Sequence, residues 1–169
     1  MNAGPALPVW LLDFDGVINA SRPGWPGVIP RSGWACADGL REFRIRWNPV
    51  LVGRIEALIG HERVDVRWCS SWCGQTEQLE HLIGLPRLQD AITVPDGGYT
   101  GDVKLAAALA VRKSGRRLIW TDDTEVPVSG PDYDRLAAGG GGLLIRPSSS
   151  RGLRPQDMDA IEAFCRGPE

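Results

Sequence analysis

Lysine is nearly missing from this chain. Of its 19 basic residues only Lys104 and Lys113 are lysines and the rest are arginines, so a lysine at a chosen position stands out. Against 21 acidic residues they leave a formal net charge of −2. The protein is therefore no polycation, and its overall charge argues neither for nor against a nucleic-acid partner. Cysteine is scarce as well. Cys69 and Cys73 are the one close pair among Cys36, Cys69, Cys73 and Cys165, and no second pair or nearby histidine completes a zinc site. No apolar run approaches the ~18 residues of a membrane span. The N-terminus lacks the basic and apolar regions of a secretory signal. The expectation is plain thiols in a reducing cytoplasm and no membrane partner.

What is present suits one globular domain: 169 residues, 43% hydrophobic and 24% charged. A single domain over 1–169 is expected, with its core at about 9–166. Its organising stretch is Val9-Trp10-Leu11-Leu12-Asp13-Phe14-Asp15-Gly16-Val17-Ile18-Asn19. An apolar run stops at two aspartates one residue apart, and a glycine follows. The run reads as a buried parallel strand, and open α/β sheets bind ligands at the carboxyl ends of their strands. Two carboxylates at i, i+2 repel unless a cation or proton lies between them. That points to a magnesium site with one aspartate free to act as a nucleophile. A strand end whose aspartates merely cap the next turn is the plainer alternative.

Residues 1–8 read as a Pro- and Gly-containing lead-in, and strand one as about Val9 to Phe14. Residues 20–35 hold too much proline and glycine for a helix. A flap and hairpin are expected over about 18–48, with arms Trp34–Cys36 and Phe43–Trp47 around Asp38-Gly39. Asn48 and Pro49 predict a helix start, with Val52, Ile55, Leu58 and Ile59 inward and Gly60 at its end. Strands are expected at Val64 to Cys69, Ala91 to Val94, Arg117 to Thr121 and Leu143 to Ile145. Helices are expected at Thr76 to Ile83, at Val103 to Lys113 capped by Asp102 with Leu105, Ala106 and Leu109 inward, at Asp132 to Ala138, and at Pro155 to Cys165. Gly139 to Gly142 reads as a flexible linker. Alternating strands and helices predict an α/β fold: a Rossmann-like parallel sheet flanked by helices.

The ends of these elements offer Asp13 and Asp15, Ser70, Lys104, and Asp122 with Asp123. In a doubly wound sheet they can meet in one crevice, and their types suit phosphoryl transfer. A carboxylate can attack phosphorus, and a second carboxyl can protonate the leaving oxygen and then activate water. A hydroxyl and a lysine can hold phosphate oxygens, and further carboxylates can hold magnesium. Each residue also has a plainer role. Lys104 can be a solvated side chain, Asp122 and Asp123 can cap the following turn, and the serines can cap the helix after residue 75.

At this point the chain resembles the haloacid dehalogenase-like (HAD) superfamily. The resemblance rests on Asp13-Phe14-Asp15-Gly16-Val17, on Ser70 after a strand, on Lys104 at a helix start and on Asp122-Asp123 after an apolar strand, in the family's order. Trp68-Cys69-Ser70-Ser71-Trp72, Trp120-Thr121-Asp122-Asp123 and Gly152-Leu153-Arg154-Pro155-Gln156-Asp157 are similar to a compact bacterial group related to the HAD domains of RNA-repair proteins. The resemblance implies Asp13 as nucleophile and magnesium ligand. It implies Asp15 as general acid/base, ligating magnesium through its backbone carbonyl. It places Ser70 and Lys104 on the phosphate, with Ser71 an alternative to Ser70. It implies Asp122 as a direct magnesium ligand and Asp123 as one that acts through water.

Neither Ile18 to Asn48 nor Ser71 to Asp102 has room for a separate cap domain, which resembles the capless class. In the flap, Trp25, Trp34, Trp47, Arg41, Arg44 and Arg46 bring aromatic and cationic groups to the expected site mouth. There they would either contact a nucleotide or nucleic-acid end, or pack the hairpin and solvate its face. The resemblance thus implies a magnesium-dependent phosphatase acting through an aspartyl phosphate. A metal-dependent nuclease and a catalytically silent binding module are the alternatives.

Overall fold

The structure, a computed structural model, describes residues 6–167; residues 1–5 of the expected lead-in lie outside the described residues. In chain order the elements are β1 (Val9–Leu12), β2 (Arg31–Cys36), β3 (Glu42–Trp47), α1 (Pro49–Gly60), β4 (Asp65–Trp68), α2 (Glu77–Ile83), β5 (Gln89–Asp90), α3 (Gly101–Lys113), β6 (Leu118–Thr121), α4 (Pro131–Ala137), β7 (Gly142–Ile145) and α5 (Pro155–Arg166). Five strands form one sheet in the order β5-β4-β1-β6-β7, and β2 pairs with β3 apart from it. Every pairing within the five-stranded sheet is parallel. This is the expected α/β, Rossmann-like sheet flanked by helices.

All residues of β1 and β6 are buried, as both faces of a central parallel strand require. The chain moves outward from β1 to β4 and β5, then crosses to β6 and β7 on the other side. The direction of winding therefore reverses at β1 and β6, where a crevice opens at the strand ends. Trp10, Trp68 and Trp120 are fully buried. The indole of Trp10 donates to Thr121 Oγ1 (2.9 Å) and that of Trp68 to Glu80 Oε1 (2.9 Å). α1 opens as expected: the Asn48 side chain accepts from the amides of Val50 and Leu51, and Pro49 fills the first turn.

The hairpin is fixed to this core. Ala35, Ile45 and Trp47 are buried beneath it. Phe43 meets Trp72 edge-on at 5.9 Å, and Trp72 meets Phe14 at 6.1 Å. From α2, Gln78 hydrogen-bonds both backbone groups of Cys36. A loop at 148–153 braces the other side. There Gly152 lies at φ +63, and a Cβ would sit 2.4 Å from the Val17 carbonyl. That close approach lets the Leu153 amide bond Val17 O (2.9 Å), while Trp25 Nε1 donates to Leu153 O (2.7 Å).

Several local expectations are corrected. The third strand is Gln89–Asp90, not Ala91 to Val94: after the Ala91 amide bonds Trp68 O, the chain leaves the sheet and buries Ile92 from a loop. Asp102 does not cap α3. Thr100 stands at the N-cap without a side-chain bond, and Asp102 is exposed in the first turn. The buried stripe of α3 is Gly101, Lys104, Ala108 and Val111, while Ala106 is exposed, because Lys104 claims the inward face. Gly139 to Gly142 is no plain linker. Residues 138–140 form a 3-10 turn and Gly142 opens β7, where a Cβ would lie 2.1 Å from Leu136 O. No helix among the described residues is long and apolar enough to cross a membrane.

Candidate active site

Register alone brings the first acidic groups together. Leu12 pairs with Thr121, so the residues that follow, Asp13 and Asp122, emerge side by side at the carboxyl edge. The Asp13 amide donates to Thr121 O at 3.1 Å, which continues the ladder one step. Lys104 comes from the first turns of α3 and is buried between them. Its Nζ donates to Asp13 Oδ2 (3.0 Å) and to Asp122 Oδ2 (2.6 Å). Lys104 is therefore not a solvated helix residue.

Asp122 caps the following turn, the plainer of its expected roles, and also meets Lys104. One oxygen faces Lys104, and the other caps the following turn through the amides of Thr124 (2.9 Å) and Glu125 (2.8 Å). Asp123 stands next to this pair. Oxygens of Asp13, Asp122 and Asp123 all lie within 4.8 Å of one another. Gly16, at φ +70, leaves the room Asp123 needs, since a Cβ there would fall 2.2 Å from Asp123 Oδ2.

The electrostatics follow from this crowding. Burial, then the neighbouring Asp122 carboxylate, pushes Asp13 up to about 8 despite Lys104. Burial alone would raise Asp122, but Lys104 and the turn amides outweigh it and hold the carboxyl below its usual range. Burial would lower the Lys104 ammonium, but the two carboxylates outweigh it and hold it above the ordinary lysine range. Two carboxylates bond the one ammonium, and Asp123 adds a third beside them. An all-oxygen set with excess negative charge fits a hard divalent cation of the magnesium type.

Asp15 stands outside that cluster. Its side chain is exposed, and both oxygens are held: Asn19 Nδ2 donates to Oδ1 (2.7 Å) and Trp72 Nε1 to Oδ2 (2.8 Å). The turn Phe14–Asn19 folds Asn19 back to it, with three successive amides, Val17 to Asn19, converging on Phe14 O. Asn19 also accepts from the Arg46 amide on β3 (2.9 Å), so one side chain ties Asp15 to the hairpin.

Ser70 follows β4 and is fully buried, its Oγ accepting from the Trp72 amide at 3.3 Å. Ser71 is exposed and lines a hollow of about 320 Å³ with Asp15, Asn19, Phe43, Arg44 and Trp72. Neither serine caps α2. Asn19 and Trp72 escaped sequence reasoning as partners of Asp15. Trp72 lies 57 residues from Asp15 in the chain, and no local spacing rule joins them.

The expected plain thiols hold: Cys36, Cys69, Cys73 and Cys165 are all free, and the last three are buried. No family model, curated protein or solved structure matches this chain.

Proposed function

We propose that the chain is a magnesium-dependent phosphomonoesterase of the HAD type, without a separate cap domain and working in the cytoplasm. The observation that carries this reading is Lys104 bridging Asp13 and Asp122, with Asp15 two residues on and facing open space. Asp13, Asp122 and Asp123 would hold magnesium by their carboxylates, and Asp15 by its backbone carbonyl. Magnesium, when bound, supplies positive charge that lets an anionic nucleophile meet an anionic phosphate.

A carboxylate oxygen of Asp13 attacks phosphorus as the bond from phosphorus to the leaving oxygen breaks. Asp15 gives its proton to that oxygen. Asp15 then takes a proton from water, whose oxygen attacks the aspartyl phosphate and releases inorganic phosphate and free Asp13. Lys104 balances the phosphate's charge, and a hydroxyl of Ser70 or Ser71 donates to one of its oxygens. A nuclease that activates water on metal needs only the acidic cluster. The separately held Asp15 favours the two-step monoesterase.

The test is phosphate release from an aryl phosphate with magnesium and with chelator, in wild type and Asp13→Asn. Magnesium-dependent release that the variant loses supports the reading. Wild-type turnover in Asp13→Asn removes the nucleophile. Absence of release on every monoester moves the weight to diester cleavage or to a binding role.

A further inference from the structure

The general acid must touch the leaving oxygen, so the leaving group lies on the open side of Asp15. A groove of about 600 Å³ begins there, with Asp15 and Asn19 at one end. Arg44 and Arg46 of β3 form one wall and Ser149 and Ser150 the other. Arg44 also lines the smaller hollow on the Ser71 side, so its side chain reaches both spaces beside Asp15.

Two features stand on this side of Asp15. Seven other arginines (41, 54, 67, 87, 116, 135 and 154) are paired with carboxylates. Arg44 and Arg46 are among the arginines of the described residues that have no such ion pair, and the two stand exposed, side by side in the groove lining. Arg46 is positioned by a bond from Nη1 to Ser21 O (3.0 Å), which leaves most of its five N–H donors free.

The second feature is Trp34, which stands beside the groove through its pairing with Arg44 and is not part of the lining. The three tryptophans of the flap divide: Trp25 and Trp47 are buried, while Trp34 is 62% exposed. Trp34 pairs directly with Arg44 across the hairpin, and directly paired residues share a face. Arg46 lies on that face too, about 7 Å from Arg44 by the rise of a strand. An exposed indole beside two unpaired guanidiniums is a surface for a flat base and its phosphates.

We propose that this groove recognises the leaving group by a second phosphate. Arg44 and Arg46 hold that phosphate and Trp34 stacks on a base, so the substrate is a nucleotide unit carrying a phosphate besides the scissile monoester. A nucleoside bisphosphate and the phosphorylated end of an oligonucleotide share this chemistry. The proposal names the substrate class of the phosphomonoesterase and rests on that reading.

The experiment compares kcat/KM for an aryl phosphate, a nucleoside 5′-monophosphate, a nucleoside 3′,5′-bisphosphate and a 5′-phosphorylated dinucleotide, in wild type, Arg44→Gln and Trp34→Ala. Binding of the bisphosphate is measured separately, without turnover, by titration calorimetry. The two-phosphate substrates should exceed the monophosphate roughly tenfold or more, the scale of one charge-assisted phosphate contact. Arg44→Gln should reduce that preference towards unity and weaken bisphosphate binding by a similar factor. Trp34→Ala should weaken the dinucleotide most if a base beyond the second phosphate is stacked, and both substrates alike if the base is that of the bisphosphate. Equal turnover of mono- and two-phosphate substrates, or a preference that Arg44→Gln leaves intact, overturns the proposal while the monoesterase stands. If no monoester is hydrolysed, the monoesterase fails, and bisphosphate binding that Arg44→Gln does not weaken removes the groove as well.

Discussion

The indole of Trp72 donates to the Asp15 carboxylate at 2.8 Å, and this bond joins the end of β1 to the turn after β4. With Asn19 on the other oxygen, the Asp15 carboxylate is held in one orientation before any substrate arrives. A general acid gains from such fixing because proton transfer needs the leaving oxygen within hydrogen-bond reach. Trp72→Phe keeps an aromatic ring against Phe14 and Phe43 but removes the donor. We expect kcat for an aryl phosphate to fall about 10- to 100-fold with KM little changed. Asn19→Ala should act in the same direction. A fall confined to KM, measured by steady-state kinetics, would remove the positioning role.

The buried bridge of Lys104 sets a second expectation. Lys104→Met leaves Asp13 and Asp122 facing each other without a cation, and breaking a buried pair in this way costs about 3–5 kcal/mol. Denaturant unfolding with chelator should show that loss. Magnesium should recover part of it, because the ion replaces some of the missing positive charge. A variant as stable as wild type in chelator would contradict the bridge.

Asp13→Asn behaves in the opposite way. A neutral amide ends the repulsion from Asp122, so stability in chelator should change by less than about 1 kcal/mol, while turnover falls by about 10⁴-fold or more. Melting curves and phosphate release on the same preparation separate the two effects. Lost turnover with a severely destabilised fold would make Asp13 a structural residue.

Much of this arrangement is local in the chain and so was legible there. The apolar run into Asp13, the Asn48-Pro49 helix start and the strand before Asp122-Asp123 each follow from residue type and period. The misreadings occur where tertiary contact overrides local pattern. Ala91 to Val94 looks like a strand because Ile92 and Val94 are apolar, yet they cover the core from a loop and the pairing falls on polar Gln89 and Asp90. Gly142 looks like linker, but the Leu136 carbonyl excludes any side chain at that point in β7. The inward face of α3 carries a lysine, which no hydrophobic pattern would choose. The hold on Asp15 by Asn19 and Trp72, and the division of the flap tryptophans into two buried and one exposed, exist only once the hairpin has docked.

Gly16 gives a prediction about metal affinity. Its φ of +70 and the 2.2 Å approach of Asp123 Oδ2 to a would-be Cβ leave no place for a side chain. Gly16→Ala should cost about 1–2 kcal/mol in backbone strain and displace Asp123 from Asp13 and Asp122. The magnesium concentration for half-maximal activity should rise, and saturating magnesium should restore part of the rate. An unchanged magnesium requirement would separate Asp123 from the metal site.

Asp65 supplies the pH dependence of stability, far from the metal ligands. Its partial burial would raise the carboxyl, but Arg67 (2.7 Å) and Arg116 (3.0 Å) outweigh that and hold it below the usual aspartate value. The unfolded chain therefore binds a proton that the folded chain refuses as pH falls below about 4. The stabilisation is fully present above that pH and is lost as pH falls through the lower, folded value. Because Asp65 and Arg67 are each about 30% exposed, solvent screening limits the pair, and the whole contribution should stay near or below about 1 kcal/mol at neutral pH. Urea unfolding of wild type and Asp65→Asn from pH 7 down to pH 2 should show a gap that is constant above pH 5 and closes at the acid end. A gap that widens as the pH falls would mean that the arginines do not stabilise the ionised carboxylate.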